Sequence, residues 1–131
     1  MIAQPFNVTN VVKHFKWSAS EHGKRRIHKK PRQSEIRACY PWLESELQVV
    51  KPKILVCMGA TAAQALLGKD VSVTRIHGQT VESRHARFAI ATMHPSSILR
   101  AADAASRQRK MDEFINDLKR VALLAAKNQA A

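Results

Sequence analysis

Two cysteines in 131 residues are too few for a disulfide framework. Cys39 and Cys57 therefore fit a reducing compartment, and the chain reads as cytoplasmic. There is no long apolar span and no sustained basic amphipathic helix with aromatic anchors, which argues against a membrane role. Met1–Pro5 lacks the charged region and apolar run of a signal peptide. No segment repeats. Acidic residues are scarce: 10 Asp and Glu stand against 22 Lys and Arg, for a formal charge of +12 and a pI near 10.4. That deficit calls for a polyanionic partner, nucleic acid before membrane. With 45% apolar residues the chain can build one core, so residues 1–131 read as a single domain.

What is abundant is cationic charge, and it is concentrated. Gly23–Arg32 holds Lys24, Arg25, Arg26, Lys29, Lys30 and Arg32 around a single histidine, His28. Little in it can bury, so it belongs at the surface as a basic loop suited to phosphate. By composition alone this is a phosphate clamp or a nuclear-localisation-like run. The surrounding cations favour the neutral, nucleophilic imidazole of His28.

Phe6–Val12 is rich in β-branched residues and reads as a buried strand. Ser18–Arg32 shows neither helical nor strand period and reads as a long loop. Ile36, Cys39, Tyr40, Leu43, Leu47 and Val50 recur at helical spacing, with Pro41 expected to split the helix in two. Ile54–Met58 is a short apolar run typical of a strand covered on both faces. Gly59 turns the chain, Thr61 is placed to cap, and a short helix runs to Leu67 before Gly68. Val71–Arg75 and Thr80–Ser83 are weak strand candidates around a His77-Gly78 turn. Phe88–Met93 is a second buried strand running into His94-Pro95-Ser96-Ser97-Ile98-Leu99-Arg100. Met111, Phe114, Ile115, Leu118, Val121, Ala122 and Ala125 form the apolar stripe of a terminal helix. Strands alternating with helices predict an α/β layer fold with a mostly parallel sheet. In such sheets the ligand sits beyond the strands' carboxyl ends, here Asn10–Trp17, Gly59–Thr61 and His94–Arg100.

Each candidate has a functional and a plain reading. The His94 imidazole can donate a hydrogen bond to a developing anion, Ser96 and Ser97 can hold a phosphate, and Ile98 and Leu99 can wedge into a base stack. The plain alternative is a strand end followed by a helix cap. Asn10 presents an amide donor and acceptor suited to a base edge, or it is a satisfied structural residue. Cys39 and His14 are suited to iron–sulfur or zinc, but two donors complete no site and their spacing fits no zinc pattern. Cys39 can equally be packing, and Cys57 belongs to the core.

Taken in order, five segments resemble one known family: Val8–Lys16, Gly23–Pro31, Ala38–Leu43, Gly59–Ala63 and His94–Arg100. They look like the iron–sulfur uracil-DNA glycosylases related to family 4, and specifically the UdgX branch, whose Lys-Arg-Arg-Ile-His insertion is matched by Lys24–His28. The resemblance covers the chain from about Phe6 to the last helix. It implies a three-layer α/β/α fold with a parallel central sheet. It also implies excision of uracil from DNA, single-stranded DNA favoured, after the nucleotide is flipped from the stack. By the same comparison His28 matches the histidine that captures C1′ covalently. Asn10 matches the residue that reads uracil's polar edge, and His94 the one that stabilises charge on the departing base. Ser96, Ser97 and Arg100 match the loop that pinches DNA, while Lys24, Arg25 and Arg26 fall in the reactive basic loop. Cys39 matches one ligand position of a 4Fe–4S cluster, and His14 falls where ordinary members have another.

The family also carries paired cysteines, a central strand and a Gly-Glu-x-Pro-Gly-type motif ahead of the matching region. None of these is found here, so the sequence reads as the carboxyl-terminal part of such a protein. The expectation is an incomplete sheet, an incomplete cluster site and weak or absent excision by this chain alone. The competing expectation is a non-catalytic basic nucleic-acid-binding remnant.

Overall fold

The computed structural model describes residues 6–13, 17–19 and 26–129. The chain divides into two compact units, residues 1–46 and 47–131, with the division inside one helix.

In the first unit, the run expected as a buried strand is irregular backbone, with Phe6 and Val8 86% and 84% exposed. β-Branched composition yields a strand only where a neighbour takes up the backbone N–H and C=O groups, and no described residue pairs with this run. Side chains hold it instead. Thr9 donates to the Glu46 carboxylate, and the Lys13 ammonium lies 2.8 Å from that carboxylate and 2.7 Å from the Thr9 hydroxyl. The hydrogen bonds from Lys13 and Thr9 keep the Glu46 carboxyl below its ordinary range. The expected loop contains two short strands, β1 (Trp17–Ala19) and β2 (Arg26–His28), paired antiparallel with Trp17 opposite His28. Ladder pairing uses only backbone groups, so a segment without apolar alternation can still adopt it.

Helix α1 (Gln33–Val50) is one continuous helix with Pro41 inside it, not the two expected. Proline removes the donor that the Arg37 carbonyl would use, at a cost of about 3 kcal/mol. The apolar stripe nevertheless stays in phase across it. Ile36, Cys39, Leu43 and Leu47 are all buried, whereas Val50 is 45% exposed. At roughly 1.5–3 kcal/mol for each large side chain, that stripe outweighs the lost bond.

The second unit is built on strand β3 (Ile54–Met58), β4 (Thr80–Val81) and β5 (Phe88–Thr92), in the order β3-β5-β4. β3 and β5 are parallel, Ile54 opposite Phe88 and Met58 opposite Thr92. β4 is antiparallel to β5, so the described sheet is mixed. The reason is the connection: 82–87 is too short for a crossover, and a short connection returns the chain antiparallel. Helix α2 (Ala60–Leu67) follows β3, with Gly59 at its amino end and no side-chain cap from Thr61. Val71–Arg75, expected as a strand, supplies the single turn α3 (Val73–Ile76) instead. Helix α4 (Pro95–Leu99) and the long α5 (Ala104–Gln129) complete the unit.

Central strand β5 is sealed, with Ala89, Ile90, Ala91 and Thr92 fully buried. Ala91 joins Cys57 and Ala63 in a cluster packed by Leu55, Leu66, Leu67, Val71, Val73 and Ile76. Burial there pushes the Cys57 thiol up to about 11, which makes it an inert core residue. Side chains alternate along a strand, so Thr92 turns to the other face, toward α5. On α5, Phe114, Leu118, Val121 and Ala125 are half-buried, while Met111, Ile115 and Ala122 face solvent. The most buried position on that helix is a carboxylate, Asp117, 3% exposed.

Asp103 caps α5 by accepting the Ser106 amide at 2.7 Å, and that bond holds its carboxyl below the ordinary range. A depressed native pKa stabilises above the unfolded value and is lost as pH falls through the native one. Amide-exchange protection of Ser106 and Arg107 is therefore expected to fall on acidification, and an unchanged profile in Asp103→Ala would refute the cap.

Candidate active site

Because β3 and β5 run parallel, their carboxyl ends open at the same end of the sheet. The amide of Gly59, just after β3, donates to the Thr92 carbonyl at 2.8 Å. Gly59 has φ +91°, a conformation that L side chains rarely adopt, and a Cβ there would lie 3.0 Å from the His94 Cβ. Glycine is thus required twice, once by the backbone and once by the histidine resting on it.

His94 is the amino cap of α4, with extended backbone and Pro95 as the first helical residue. Its Nδ1 accepts the Ser96 backbone amide at 3.1 Å and lies 2.9 Å from the Ser96 hydroxyl. A backbone N–H can only donate, so Nδ1 is the acceptor and the neutral ring carries its proton on Nε2. Arg100 donates to the Ser96 oxygen at 3.2 Å, which turns the hydroxyl proton toward His94. The order of donation runs from guanidinium to hydroxyl to imidazole, leaving Nε2–H as the ring's outward donor. The residue is exposed, at the carboxyl end of the sheet.

The surrounding loop divides its duties. Ser97 is spent locally, its hydroxyl and amide both donating to the His94 carbonyl at 2.8 and 2.9 Å. Ile98 is 3% exposed and packs in the core, so it does not project with Leu99 as expected. Leu99 is 76% exposed and stands beside Arg100 at the surface. The hollow lined by Glu82, Ser83, Arg84 and Arg87 lies at the amino end of β5, away from His94.

The structure therefore brings His94, Ser96, Ser97 and Arg100 together in the second unit. The first unit holds Asn10, exposed on irregular backbone rather than buried in a strand, and Arg26 and His28 at the two ends of β2. Lys24, Arg25 and His14 lie outside the described residues. Cys39 is buried on α1. No group of three or more His, Cys, Asp or Glu side chains stands together among the described residues, and a 4Fe–4S cluster needs four protein ligands. Those residues alone do not fit such a cluster. No described helix is long and apolar enough to cross a membrane.

Two residues that shape the site, Thr92 and Asp117, carry little signal in the sequence. Thr92 reads as one more β-branched strand residue, and Asp117 as a solvated charge. The available signal was spacing: Asp117 sits three after Phe114 and four before Val121, on the inward stripe.

A sequence profile described as the uracil DNA glycosylase superfamily matches residues 2–119. A type-4 uracil-DNA glycosylase from Thermotoga maritima is 34% identical over 71 residues, covering 53% of this chain and 37% of that protein. Another, from Archaeoglobus fulgidus, is 26% identical over 106 residues, covering 76% of this chain and 50% of that protein. The chain thus spans half or less of the length of either relative.

Proposed function

Since this chain belongs to the uracil DNA glycosylase superfamily, we propose that it acts on uracil in DNA, breaking the bond between the base and C1′ of a flipped-out nucleotide. The fixed tautomer of His94 carries this reading. As the bond from N1 to C1′ breaks, its electron pair leaves with uracil and negative charge grows on the base's carbonyl oxygens. An Nε2–H already aimed outward stabilises that charge without reorganising. The sugar is left as an oxocarbenium ion. In the UdgX-type form of the proposal, a lone pair of the His28 imidazole then bonds to C1′ and keeps the DNA attached. Otherwise water attacks and its proton is released.

Asn10 would read the uracil edge, and Arg100 with the basic residues Lys24, Arg25 and Arg26 would hold phosphates. Leu99 is the exposed apolar side chain next to Arg100, and in this reading it would occupy the gap left by a flipped base. The three-layer arrangement and a preference for single strands belong to the same reading.

The test is a denaturing gel after incubating the chain with uracil-containing single-stranded DNA. A denaturation-resistant shift that disappears in His28→Ala supports covalent capture. Free uracil without a shift supports hydrolysis. The formal charge of +12 favours a second reading, a non-catalytic nucleic-acid-binding module. It predicts salt-sensitive binding with no preference for uracil and no base release.

A further inference from the structure

Beneath the His94 loop lies a polar cluster that the proposed chemistry does not use. The Asp117 carboxylate, 3% exposed, accepts the Thr92 hydroxyl at 2.7 Å and faces the His77 Nδ1 at 3.0 Å. Thr92 itself is fully buried. The adjoining Gly78 amide donates to the Ala91 carbonyl at 2.9 Å, and Arg120, one turn along from Asp117, donates to the Gly78 carbonyl at 2.9 Å. A buried carboxylate with this many partners is costly to keep, because each group must be desolvated and paired. An apolar residue would continue the α5 stripe at lower cost.

Thr92 connects this cluster to the site. Its hydroxyl is held from α5, while its carbonyl receives the Gly59 amide at 2.8 Å. Gly59 is the surface on which His94 rests, with 3.0 Å between its missing Cβ and that of His94. Two residues after Thr92 the chain reaches His94. The imidazole is therefore located from both sides by one threonine, and the threonine is located by Asp117.

We propose that Asp117 is a positioning residue for His94, acting through Thr92 and Gly59, with His77 keeping the carboxylate in place. The inference deepens the glycosylase reading and rests on it for its catalytic meaning, but the ring's placement can be measured without activity.

The experiment uses the whole chain labelled with 15N-histidine. The His94 ring nitrogens report the tautomer directly, and wild type should show protonated Nε2 with Nδ1 accepting. Thr92→Val keeps the buried shape and removes the hydroxyl. Asp117→Asn keeps one acceptor oxygen. Both are expected to shift the His94 ring signals from their wild-type positions at temperatures where the proteins remain folded, with the tautomer kept by the Ser96 amide. Thr92→Ser, which retains the hydroxyl, should restore the wild-type signals. On uracil-containing DNA, Thr92→Val should lower kcat about tenfold with KM nearly unchanged, as misplacement of a reacting group does. Ring signals identical to wild type in both folded variants would overturn the proposal, whatever the activity. Shifted signals in a protein whose wild type releases no uracil would uphold the positioning and overturn the glycosylase reading.

Discussion

On the proposed glycosylase reading, replacing His94 with alanine is expected to slow uracil release by about 10²–10³-fold, the usual consequence of deleting one preorganised donor to a developing anion. The loss should fall on the chemical step, because the exposed ring contributes little to the core. Single-turnover release of uracil from a labelled oligonucleotide separates this from binding. Ser96→Ala makes the sharper comparison. It removes the hydroxyl at 2.9 Å but leaves the backbone amide that fixes Nδ1, so it should cost less than about tenfold. Equal losses in the two variants would show that the hydroxyl, and not the amide, sets the ring. A His94→Ala protein within threefold of wild type would end the case for this histidine as the anion's partner.

Gly78→Ala is expected to destabilise the fold by about 2–4 kcal/mol, through strain and overpacking together. Gly78 has φ +74°, and a Cβ would fall 2.3 Å from the Asp117 Oδ1 and 3.0 Å from the Arg120 Nη1. The flexible Arg120 side chain can move aside, but Asp117 cannot yield cheaply, since it is also bound to Thr92 and His77. Gly68→Ala is the control. It shares the unfavourable backbone, at φ +130°, but its Cβ would meet only Val71 at an ordinary 3.7 Å. A cost of about 1–3 kcal/mol is expected there, from the backbone alone. Denaturant unfolding of both variants isolates the crowding around Asp117 as their difference. Equal costs would mean the cluster is loose enough to absorb a methyl group.

The parts of this fold legible from sequence are those whose local signal and burial agree. Ile54–Met58 and Phe88–Thr92 are apolar, short and bounded by turns, and both are strands with the central one sealed. The Ile36–Leu47 stripe likewise predicted which face of α1 is buried. Phe6–Val12 has as strong a β composition but no described partner strand, and an exposed run cannot act on that preference. Pro41 reads as a break because propensity is local, whereas the stripe that spans it is a tertiary effect. Val71–Arg75 is a weak strand candidate, and three of its five residues, Val71, Val73 and Thr74, are β-branched. Tertiary packing of Val73 and Ile76 on the Cys57 cluster makes it a helical turn. At the site, the sequence pointed to His94 and its serines but not to the carboxylate below them. A charge on a helix is usually solvated, and only its phase with Phe114 and Val121 marks Asp117 as inward.

The two attachments of His94 Nδ1 differ in how easily a ligand could take them away. Arg100 is exposed, and a DNA phosphate that drew its guanidinium off would release the Ser96 hydroxyl to rotate. The Ser96 amide is fixed in the backbone of the helix that His94 itself begins, so it cannot rotate away as the hydroxyl can. The imidazole's alignment thus does not depend on what Arg100 holds. On the proposed DNA-binding reading, Arg100 would change partners from serine to phosphate while the ring stays registered by the peptide backbone.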